Sequence, residues 1–185
     1  MRGLFLMMAL LAAAPAAAQV RLDLLNRAPS VVDYARVGDM DGVRGALASG
    51  QSPNSVDLDG IPAVILAATA GHANVVEALA AAKARLDVRD KNGNTALLLA
   101  AERGHDSVVE ALIAGKANVN LENRSGATPL IVAARAGHVV VVDMLIKAGA
   151  DLTREDFTGR TALGWAQTNS RRNVVDRLRK AGATR

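Results

Sequence analysis

The chain has no cysteine. That removes disulfides, thiolate metal sites and cysteine nucleophiles together, so the fold must hold through packing alone. Aromatic residues are nearly as scarce, with one Trp, one Tyr and two Phe among 185 residues. Half the residues are apolar, so the interior must be built from Ala, Val, Leu and Ile, which suits close stacking of short helices. A strong excess of one charge is missing as well. With 22 Lys plus Arg against 18 Asp plus Glu, the balance is too even to argue for a nucleic-acid-binding face.

Catalytic signatures are also lacking. There is no G-x-S-x-G elbow and no G-x-x-x-x-G-K-[ST] phosphate loop. His105, Asp106 and Ser107 are the residue types of a nucleophile triad, but neighbours in sequence on a turn do not converge on one point. The carboxylates of Asp57 and Asp59 fall in an expected hairpin, with no pocket to raise a pKa. His72, His105 and His138 invite a metal hypothesis, yet they recur at one fixed spacing. Equivalent atoms of stacked helices lie about 8–10 Å apart, whereas each ligand of a Zn²⁺ sits about 2.0–2.1 Å from it. A structural role at a helix boundary, tying the inter-helix turn, is expected for them. No enzyme activity, cofactor or metal is expected.

One long apolar run exists, at the start. Arg2 supplies a positive charge, Leu4 to Ala14 carries none, and Ala16-Ala17-Ala18 offers an A-x-A cleavage site before Gln19. The run is short for a membrane span, which takes about 20 residues. Residues 1–18 are therefore expected to be a signal peptide and 19–25 a leader, giving an exported, periplasmic bacterial protein with no membrane span in its mature form. The competing expectation is a membrane-associated adaptor held by an uncleaved N-terminus, with a basic C-terminal helix facing lipid.

What the chain does have is a period. Gly60, Gly93, Gly126 and Gly159 each open a similar stretch, every 33 residues. Self-similarity of this kind means a stacked array in which each unit buries its apolar side only against its neighbours. Repeats are expected over about 26–56, 57–89, 90–122, 123–155 and 156–185. Thr95, Thr128 and Thr161 stand where a side chain can cap a helix, Pro129 suits the first helical position, and Gly71, Gly104 and Gly137 can end the helix in a left-handed conformation. A second helix follows with Val75, Val76 and Leu79 and their repeats, apolar at three- and four-residue spacing. Trp165, which aligns with Leu66, Leu99 and Val132, is expected in the core. Tyr34 replaces a recurrent Ala near a free end, where there is room for a ring. In the last repeat Arg171, Arg172, Arg177, Arg179 and Lys180 read as a polar cap.

The order Thr128-Pro129-Leu130, Ala133-Ala134, Gly137-His138, Val141-Val142, Leu145 and Gly149-Ala150-Asp151 resembles the ankyrin repeat, over roughly residues 24 to 185. The resemblance implies an all-α ankyrin-repeat solenoid of about five helix–turn–helix repeats with β-hairpin fingers. It also implies a non-catalytic scaffold that binds a partner protein along its concave side. Carried onto this chain, that side places Leu58, Asp59 and Ile61, Asn92 and Asn94, and Ser125 and Ala127 at finger tips. The partner-binding residues expected from it are Lys91, Glu102, Arg103, Arg124, Arg135, Phe157 and Arg160. A groove that is basic on balance calls for a partner with an acidic surface, and a monomer is expected.

The chain departs from the family pattern in places. Ile65, Leu98, Ile131 and Gly164 stand where the family usually has His, so its Thr–His hydrogen-bond network is absent. Lys83 and Lys116 fill a slot held by Gly149 and Gly182, and a left-handed non-Gly residue costs roughly 1–2 kcal/mol. Those helix ends are therefore expected to differ.

Overall fold

The computed structural model describes residues 29–184. The expected signal peptide and leader lie outside them. Among the described residues the chain forms ten helices in five antiparallel pairs: α1 (Val31–Val37) with α2 (Met40–Ala48), α3 (Ala63–Ala70) with α4 (Ala73–Ala81), α5 (Ala96–Arg103) with α6 (Asp106–Ala114), α7 (Pro129–Ala136) with α8 (Val139–Lys147), and α9 (Ala162–Thr168) with α10 (Arg172–Lys180). Each first helix packs on the next first helix and each second helix on the next second, so the pairs stack in sequence order. This is an all-α repeat solenoid.

The two rows of helices are buried differently. First helices are enclosed on several sides, as in α5, where Ala96, Leu97, Leu98, Ala100 and Ala101 are all at most 1% exposed. Their alanines let neighbouring backbones come close. Second helices bury one stripe, such as Val108, Val109 and Leu112 of α6, and turn the other side to water.

The ends of the helices follow from side-chain chemistry. The Thr95, Thr128 and Thr161 hydroxyls accept the backbone N–H groups of Leu98, Ile131 and Gly164 at 3.3, 3.3 and 3.1 Å. At α3 the equivalent residue is Pro62, which cannot cap; there the Ala63 N–H donates to the Ser55 carbonyl at 3.0 Å instead. Gly104 closes α5 at φ +68°, and a Cβ there would lie 2.5 Å from the His138 ring. Glycine is thus required both by the left-handed turn and by what packs on it.

That contact adds to the expected role of the histidines. Each sits at the expected helix boundary as the N-cap of a second helix, its backbone closing the turn, and the side chains of His105 and His138 bridge repeats as well. His138 Nε2 meets the Glu102 carbonyl at 3.0 Å and His105 Nε2 meets the Thr69 carbonyl at 3.3 Å, both in the preceding repeat. In the last repeat Arg171 takes this place, lying on Gly137 with its Nε 3.5 Å from the Arg135 carbonyl.

The ends at Lys83 and Lys116 do not differ, contrary to expectation. Both residues adopt the left-handed conformation, at φ 63° and 64°. The strain is tolerated because the turn's hydrogen bonds persist: the N–H of Ala84 still donates to Leu79 and that of Ala117 to Leu112.

The expected hairpin fingers are present at 57–61, 90–94, 123–127 and 156–160, but among the described residues they contain only isolated bridges, Val56 with Pro62 and Glu155 with Thr161. A side chain at each finger base takes up N–H groups of the finger, in those with a bridge as in those without: Asp57 Oδ1 accepts from Asp59 and Ile61 at 3.0 and 2.8 Å. Asp90 Oδ1 accepts from Asn92 and Asn94, both at 2.8 Å, and Asn123 Oδ1 accepts from Ser125 and Ala127 at 3.0 and 3.1 Å.

Candidate functional site

Fingers and first helices together make one side of the solenoid. The second, third and fourth fingers are bonded to each other through the backbone, which keeps them in register. The Arg124 N–H donates to the Asn92 carbonyl at 3.1 Å and the Phe157 N–H to the Ser125 carbonyl at 2.9 Å. Leu58, Lys91, Arg124 and Phe157 occupy the same place on successive fingers, and all four are exposed. Leu58 is 79% and Phe157 78% exposed, large values for apolar side chains.

Of the expected partner-binding residues, Lys91, Arg103, Arg124, Phe157 and Arg160 are exposed. Glu102 and Arg135 are brought together instead, as an ion pair at 3.1 Å across adjacent helices. Lys91, Arg103 and Arg124 make no ion pair among the described residues. They are exposed cations without a carboxylate partner on this face. Ala127, expected at a tip, is 1% exposed and belongs to the core, because its short side chain points back under the finger.

Trp165 also departs from expectation. It is half-buried, and it sits on the finger side of α9 between two cations. The guanidinium carbons of Arg160 and Arg135 lie 5.0 and 5.5 Å from its ring centroid. Its Nε1–H donates to Asp156 Oδ2 at 2.6 Å. The ring still packs against the core, and its N–H reaches an acceptor that is itself buried. Burial pushes the Asp156 carboxyl up, but hydrogen bonds from the Thr158 hydroxyl, the Trp165 indole and the Thr158 and Arg160 N–H groups outweigh it and hold the group below the usual carboxylate range.

Between the second and third fingers a cleft of about 350 Å³ remains open. Asn92, Asn94, Asn123, Arg124 and Ser125 line it from the fingers, Glu102 from α5, and the buried Leu98 and Val132 from below. Of these, Leu98, Asn123 and Val132 were not expected on the binding side. The one trace in the sequence is that position 132 holds Val where the next repeat holds Trp165.

The arrangement offers cations, amides and a shallow apolar floor, but no nucleophile beside a base. Among the described residues no group of three or more His, Cys, Asp or Glu is placed to hold a metal ion, and no helix is long and apolar enough to cross a membrane. A family model describing ankyrin repeats, in three copies, matches residues 32–123 and, overlapping, 99–184. The chain belongs to the ankyrin-repeat family. No curated protein matches its sequence. Ankyrin repeats are generally protein–protein interaction modules, and proteins built from them are generally non-catalytic scaffolds.

Proposed function

We propose that this ankyrin-repeat protein is a monomeric, non-catalytic scaffold that holds an acidic partner protein against the fingers and first helices of its concave side. The observation that carries the reading is that Lys91, Arg103 and Arg124 are exposed together on the finger side without carboxylate partners, beside an Arg135 that is matched with Glu102. Exposed pairs of that kind add little stability. Unmatched cations, by contrast, attract and orient an oppositely charged surface. The second, third and fourth fingers, linked through the backbone, are already ordered, so docking there costs little entropy.

The site is a revision of the expected one. Arg135 is committed to Glu102 and Trp165, and Arg160 to Trp165 and to the Thr158 hydroxyl at 3.2 Å. Both support the surface more than they offer charge. We further propose that the protein works outside the cytoplasm, in a periplasm, after cleavage between Ala18 and Gln19.

The test begins with a pull-down from the exported fraction, followed by titration of the purified partner. Lys91→Glu, Arg103→Glu and Arg124→Glu together should weaken binding by at least about tenfold, or 1.4 kcal/mol. The thermal midpoint should move by no more than about 1–2 °C, as exposed substitutions change stability by about 0.5 kcal/mol. Undiminished affinity would remove the concave-side assignment. Intact mass of the same preparation should begin at Gln19; retained residues 1–18 would favour a membrane-held adaptor.

A further inference from the structure

The solenoid repeats its geometry every 33 residues, so one step of the array can be compared with the next. Val132, Glu102 and Asn123 line the open cleft between the second and third fingers. Thirty-three residues on, these three positions are Trp165, Arg135 and Asp156. Those three residues touch each other: the Arg135 guanidinium lies over the Trp165 ring at 5.5 Å, and the indole N–H bonds to Asp156 at 2.6 Å. In the last step of the array, then, the cleft is filled by the protein's own aromatic ring. In the step before, Val132 is too small to fill it.

We infer that the open cleft between the second and third fingers is a receptor for one aromatic side chain of the partner, which takes the place that Trp165 takes in the following repeat. The inference rests on the scaffold reading above and names the partner's anchor. Its volume, about 350 Å³, lies at the low end of ligand pockets, which run about 300–1,000 Å³, and suits a single side chain. Leu98 and Val132 supply the apolar floor, and Arg124 at the rim offers a cation to the ring face. The amides of Asn92 and Asn123 give a phenol or indole edge polar neighbours. The exposed Lys91 and Arg124 beside it fit an anchor flanked by carboxylates. A buried aromatic ringed by polar contacts is also the commonest form of an interface hot spot.

The probes are N-acetyl-tyrosinamide and N-acetyl-leucinamide, titrated into the full chain with methyl chemical shifts as the readout. The tyrosine probe should give saturable shifts at Leu98 and Val132, and the leucine probe should bind at least about tenfold more weakly. Val132→Trp should close the cleft and abolish those shifts. Trp165→Val should open a second cleft and add shifts at Ile131, the residue equivalent to Leu98; this variant decides the matter if Val132→Trp does not fold. No shifts with the native chain, equal binding of the leucine probe, or no new shifts at Ile131 would each overturn the inference. Equal affinity of the purified partner for native and Val132→Trp protein would exclude the cleft from the interface while leaving the concave scaffold intact. Loss on Lys91→Glu, Arg103→Glu and Arg124→Glu tests that scaffold separately.

Discussion

Gly42 has no side chain because Tyr34 occupies the space. A Cβ at Gly42 would lie 2.1 Å from Tyr34 Cδ1, closer than any packing allows. In the other four repeats the corresponding pairs are Ala67 with Val75, Ala100 with Val108, Ala133 with Val141 and Ala166 with Val174. Volume has been exchanged between two helices: the first repeat puts the large residue on α1 and the small one on α2, and the others do the reverse. Gly42→Val alone should therefore cost about 1–3 kcal/mol through overpacking. Adding Tyr34→Ala should recover most of that loss, as the later repeats' pair is then restored. Urea unfolding of both variants checks this, and simple additivity of the two costs would refute the exchange. Sequence showed that Tyr34 is out of pattern, but not that its partner is eight residues away. That needed the angle at which the helices meet.

At the scale of the element, the fingers depend on one side chain at their base. Asp57 and Asp156 are both depressed in pKa: burial raises them, but hydrogen bonds from the finger's own N–H groups, with Arg36 beside Asp57 and the Thr158 hydroxyl and Trp165 indole beside Asp156, more than offset it. A carboxyl whose folded pKa is depressed stabilises the fold above its unfolded pKa, about 3.9 for Asp. That stability is lost as pH falls through the folded value. The fourth finger and its Trp165 contact should thus loosen below about pH 4. Asp156→Asn, which copies Asn123 of the finger before, should flatten this acid dependence while lowering stability at neutral pH. Tryptophan fluorescence against pH reads it directly, since the chain has one Trp. An unchanged acid midpoint would mean that other carboxylates set it. The bases of the fingers could be read in sequence from their recurrent Asp and Asn. Their near-absence of strand could not.

For the whole molecule the issue is how the array ends. Ala68, Ala101 and Ala134 are buried under the following repeat, but the equivalent Gln167 is exposed. Arg179 likewise stands where Ala80, Ile113 and Ile146 pack, and Ser170 keeps the left-handed turn of Gly137 at φ 56°. These replacements put polar side chains where earlier repeats stack, which is what a polar cap needs. The last helix is also tied back, since Arg177 pairs with Asp143 at 3.4 Å. Gln167→Ala with Arg179→Ile would restore a stacking face with nothing on it. Sedimentation velocity should then show association that grows with concentration, whereas a persistent monomer would show that other residues guard the end.

The period, the capping threonines, the closing glycines and the scarcity of aromatics were enough to determine a stack of helical pairs. Such features act within a few residues of each other, or repeat the same contact at a constant spacing. Tertiary structure decided what lies between repeats: that Arg135 is spent on Glu102 and Trp165, that Ala127 faces inward, and that Val132 leaves a space where Trp165 fills one. These depend on side chains brought together by stacking from residues about 30 apart, and the direction each takes is set by neighbours that sequence order does not name.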